Sequence, residues 1–134
     1  LPDDVRLKKT VGRMATYLQG YGDLMVSTNH WDPAVLERFR RDPFVAGFRG
    51  AIDNTATTSE LEHVATLIPS EWLAAAGLGT PAECADAVLR QMDLGADSVI
   101  IHGATPAELA PMVHAYRAIR PAGRFDHLAA NPGA

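Results

Sequence analysis

The stretch Leu94-Gly95-Ala96-Asp97-Ser98-Val99-Ile100-Ile101-His102-Gly103 decides how the chain is read, because it stands between two copies of one tetrapeptide. Thr80-Pro81-Ala82-Glu83 precedes it, and Thr105-Pro106-Ala107-Glu108 follows, 25 positions after the first. Each copy has the chemistry of a helix start. Threonine caps, proline fits a first turn whose amide has no helical partner anyway, and glutamate reaches back to the capping residue. After the first start, Ala85, Val88, Leu89 and Met92 share one face, Glu83, Asp86, Arg90 and Asp93 the other, and Gly95 ends the helix. After the second, Leu109, Met112, Val113 and Tyr116 share a face, and Pro111 removes one hydrogen bond to the Ala107 carbonyl. Residues 98–102 between the helices are apolar and β-branched, the pattern of a strand buried on both faces.

A strand and a capped helix, repeated, form the unit of a parallel α/β sheet or barrel. The matching strand before Thr80 falls in residues 73–78, weakened by alanine and glycine. The expected fold is therefore α/β: the C-terminal portion of a (β/α)8 TIM-type barrel preceded by an all-helical segment. A whole barrel takes about 250 residues, so 134 residues hold only its closing part. On this reading residues 1–72 are the helical segment, 73–122 the last two βα units and 123–134 a C-terminal tail.

The helical segment is read from spacing. Leu7, Val11, Met14 and Leu18 lie on one face, and Gly20 and Gly22 are expected to stop that helix. Asp32 and Pro33 then start a helix to about Arg41, with Trp31 and Leu36 placed as a hydrophobic staple. Phe44, Val45 and Phe48 suggest a short piece. Ser59 and Glu62 form a capping box for a helix carrying Leu61, Val64, Ala65 and Ile68 to Pro69. A short turn with Trp72 and Leu73 follows.

Composition limits the function classes. Hydrophobic residues at 47% against 21% charged can fill a core. A net charge of −4 gives no general attraction for nucleic acid or anionic membrane. One cysteine excludes an internal disulfide and a cysteine-based zinc site, and the five histidines fall at no metal-site spacing. No apolar run reaches the roughly 20 residues of a membrane helix. The opening Leu1-Pro2-Asp3-Asp4 lacks the features of a signal peptide, so a cytoplasmic location is expected.

Few residues carry a chemical signal. Gly77-Leu78-Gly79-Thr80-Pro81-Ala82 fits G-x-G-x-x-A, a dinucleotide fingerprint. Pro81 removes an amide that would hold a pyrophosphate, and His102 ends the next strand where an acidic ribose ligand belongs, so a tight turn and cap is the preferred reading. His102 and Gly103 sit where α/β folds gather their chemistry, with His102 either donating a hydrogen bond to a ligand or simply satisfied beside the strand end. Thr80 and Thr105, with Gly79, are anion-site candidates at helix starts, although capping explains them as well. Cys84 reads as a small core residue. The basic cluster Arg38, Arg40, Arg41 and Arg49 is interleaved with Glu37 and Asp42, as a solvated face is. No serine nucleophile elbow or phosphate loop occurs.

The run Gly79-Thr80-Pro81-Ala82-Glu83-Cys84-Ala85, the Gly95-Ala96-Asp97 turn, the apolar stretch to Gly103 and the second Thr-Pro-Ala-Glu-Leu start resemble the C-terminal end of the luciferase-like monooxygenase superfamily. The nearest branch is the actinobacterial deazaflavin-dependent oxidoreductases, which residues 51–57 and 68–73 also fit. The resemblance implies a bacterial barrel flavoprotein that binds the deazaflavin coenzyme F-420 or FMN and performs hydride transfer or monooxygenation on a small-molecule substrate. In such a parent, this chain would close the barrel and shape the substrate pocket. It implies no catalytic residue here. His102, Gly103, Thr105, Gly79 and Thr80 are the cofactor or substrate-pocket candidates, and no cofactor is expected on the chain by itself. No nucleic acid, membrane or metal is expected, and a homo-oligomer is. Two alternatives stand beside it: a non-catalytic assembly unit that dimerises through an open sheet edge, and another barrel enzyme acting on a phosphorylated metabolite at Thr105.

Overall fold

The computed structural model describes residues 3–74 and 76–127, which form two compact units divided near residue 75. In the first unit, α1 (Asp3–Leu7), a π-turn (Lys8–Gly12) and α2 (Arg13–Asn29) run on as one helical rod. Next come α3 (Pro33–Arg41), α4 (Pro43–Gly47), α5 (Ile52–Thr55), α6 (Thr58–Ala65) and a 3₁₀ turn (Ser70–Leu73). The second unit holds α7 (Pro81–Asp93) and α8 (Pro106–Ile119), which pack on each other.

The rod buries the face read from its spacing. Val11 and Leu18 are in the core, with Leu7 and Met14 packed at its edge. Gly20 and Gly22 do not end the helix, which continues to Asn29. Each costs about 1 kcal/mol of helix propensity against alanine, but packing outweighs it. A β-carbon on Gly22 would lie 2.7 Å from Leu36 Cδ1, so this glycine is what allows α3 so near α2. Gly12 plays the same part, with a β-carbon falling 3.2 Å from both Asp53 Cα and Leu61 Cδ2. The rod ends instead at His30, in the left-handed conformation (φ 54°), where Trp31 N–H reaches back to the Val26 carbonyl at 3.0 Å. That is a Schellman ending with a histidine in glycine's place.

Asp32 caps α3 through Ala34 N–H at 2.9 Å, and Pro33 takes the first turn as expected. Trp31 stacks on Trp72, ring centroids 4.3 Å apart and planes within 9°. The ring of Phe39 is fully enclosed beside Leu18, Ile52, Leu61 and Val64. The box that starts α6 lies two residues earlier than read: Thr57 caps and Glu60 returns to it. Both Thr57/Glu60 and Ser59/Glu62 satisfy the same spacing rule, and the earlier pair gives a longer helix with Leu61 and Val64 still inside.

The α/β expectation is overturned. No strand, no sheet and no barrel portion occurs among the described residues; the fold is all-helical. Residues 98–102 run without regular structure between α7 and α8, with Ile100 89% exposed. Residues 73 and 74 belong to the end of the 3₁₀ turn, and 76–78 form an irregular link. A parallel strand exists only as part of a ladder. One β-prone stretch with no companion has nothing to pair with, whatever its composition. The helices on either side formed because caps and amphipathic spacing are local. Of the tail, residues 128–134 lie outside the described residues.

Candidate functional site

The candidates sit in two turns of the second unit, each leading into a helix. In the first, Gly77 (φ 51°) and Gly79 (φ 115°) both take left-handed backbone. A β-carbon at Gly79 would run into the Glu83 carboxylate. Thr80 caps α7, its Oγ1 accepting from Glu83 N–H at 3.3 Å, while Glu83 Oε2 accepts from Thr80 N–H at 2.7 Å and from its hydroxyl at 2.9 Å. These bonds from the Thr80 backbone and side chain hold the Glu83 carboxyl below its ordinary pKa. Cys84 donates its thiol to the Gly77 carbonyl at 2.8 Å, which ties the turn to the helix. Burial, and then the Glu83 charge, push that thiol's pKa up, away from a reactive thiolate.

The second turn repeats the first. Thr105 N–H and hydroxyl donate to Glu108 Oε2 at 2.7 and 3.0 Å, and Glu108 N–H returns to Thr105 Oγ1 at 3.3 Å. Gly103 (φ 86°) makes the bend, and His102 beside it is exposed. In both turns the positive end of the helix is already occupied by the chain's own carboxylate. An incoming phosphate would meet like charge at the amides that should greet it. This geometry favours the turn-and-cap reading of residues 77–82 over a dinucleotide fingerprint, and it weighs against a phosphorylated metabolite at Thr105.

Two further clusters lie in the first unit. Asp42 ends α3 and caps α4, its Oδ1 accepting from Phe44 and Val45 N–H at 3.0 and 3.3 Å. Its Oδ2 lies 2.9 Å from His63 Nε2 on α6, whose ring meets Phe44 edge-on. Burial raises the Asp42 pKa, but the bond from His63 and the two amides more than offset this, and the net shift is downward. Asp53, 6% exposed, accepts from the Thr16 hydroxyl at 2.8 Å and pairs with Arg13 Nε at 3.0 Å, while its own N–H donates to Thr16 Oγ1 at 3.1 Å. Local sequence could not reveal either cluster, because Asp53 and Thr16 are 37 positions apart and Asp42 and His63 are 21 apart. A histidine held by a carboxylate supplies two of the three members of a catalytic triad. Here the carboxylate is spent on capping α4, and the pair fastens α6 to the α3–α4 corner.

Among the described residues, no three His, Cys, Asp or Glu side chains gather as a metal site would require. No helix among them is long and apolar enough to cross a membrane. Comparison with protein-family models, curated proteins and solved structures gave no match.

Proposed function

We propose that the chain is a non-reacting part of a flavin- or deazaflavin-dependent oxidoreductase of the luciferase-like kind, contributing helical surface around a small-molecule substrate. The observation that carries this reading is the cassette of two Thr-Pro-Ala-Glu starts flanking residues 94–104, which carries the resemblance. Both starts form capped helices, and the link between them is exposed at its end, from Ile100 to Gly103. His102, exposed beside Gly103, is then a residue lining the pocket. A single hydrogen bond nets about 1 kcal/mol, so the bulk of cofactor affinity has to come from other groups.

The test is made on the native gene product. It is purified from its source cells, weighed intact, and its absorption spectrum and coenzyme-linked hydride transfer are recorded. A flavin or deazaflavin spectrum with turnover supports the reading. A native product that neither binds nor uses either coenzyme overturns it.

A second reading has its own support. Leu94 is 82% exposed and Ile100 89%, on a link that carries no charge between Ser98 and Ile101. Such surface is what an assembly unit offers a neighbour. With no sheet among the described residues, this apolar link takes the place of the open edge that the sequence suggested. Sedimentation of the purified chain separates the readings: self-association that Ile100→Asp abolishes favours assembly, and a monomer at all concentrations counts against association through a second copy.

A further inference from the structure

We draw no further inference here: the strongest candidate, the exposed apolar link around Leu94, Ile100 and Ile101 between α7 and α8, carries nothing because nothing in the structure shows what covers it.

Discussion

Thr80 and Thr105 show how much a single hydroxyl does in this chain. Each satisfies an amide that the helix cannot, and each receives a carboxylate in return. Replacing either by alanine should cost its helix about 1 kcal/mol, as other N-caps do, read as a loss of far-ultraviolet helical signal at fixed temperature. A loss near zero would show the cap to be idle. Acid acts on the same contacts. The folded pKa values of Glu60 and Glu83 lie below their ordinary values, Thr57 and Thr80 supplying the bonds responsible. The charged forms are therefore favoured by folding. Their contribution is complete above the unfolded pKa and disappears as pH falls through the lowered folded one. Asp42 is shifted the same way. Helical signal at fixed temperature should thus be level at neutral pH and decline on acidification through the carboxylate range. A decline that begins on raising pH from neutral would contradict this sign. At Gly22 the effect is steric: Gly22→Ala presses on Leu36 and should destabilise by about 1–3 kcal/mol, although alanine is the better helix former.

Between residue and molecule, each element was legible to the degree that its cause was local. Asp32-Pro33, Thr80-Pro81 and Thr105-Pro106 announced α3, α7 and α8 because a cap needs only the next three residues. The run through Gly20 and Gly22 was misread because what holds α2 together there is Leu36, on another helix. Residues 98–102 were misread for the complementary reason. Their composition suits a strand, but a strand is a relation between segments and the described residues supply no second one. Hydrogen exchange makes this concrete. Amides of residues 98–101 should exchange as fast as an open chain, while those around Leu18 on α2 should be among the slowest. Strong protection at Val99 to Ile101 would mean that a ladder partner had been found. The candidate site was legible in part: the roles of Thr80 and Thr105 followed from spacing, whereas the Asp42–His63 and Asp53–Thr16 pairings depend on tertiary approach.

For the whole chain, the two units differ in what they bury. The first encloses Phe39, Leu18, Ile52, Leu61 and Val64, together with the Asp53 cluster. Within the second, only Ala85, Met112 and Phe125 are buried among its described residues, with Arg120 and Arg124 over the Phe125 ring. A two-helix pair with so small a core has little to set against its conformational entropy. The expectation is that a chain of residues 1–74 melts cooperatively, whereas one of residues 76–134 has weak helical signal and no sharp transition. Equal, cooperative melting of both pieces would contradict it. Titrating FMN or the deazaflavin coenzyme into the whole chain and following fluorescence should give no saturable binding in the low micromolar range. Such affinity needs about 8 kcal/mol, and the polar groups at the two turns are already engaged with Glu83 and Glu108.

The chain's two tryptophans, Trp31 and Trp72, are the two that lie face to face in the first unit. Their transition dipoles are therefore close enough to couple. An exciton couplet in the circular dichroism of the indole bands should mark the intact stack and vanish when the rings separate. Intrinsic tryptophan emission then follows the stacked pair, both of whose rings belong to the first unit. Far-ultraviolet dichroism registers the helices of both units, so a dichroism curve that departs from the emission curve marks units that melt separately.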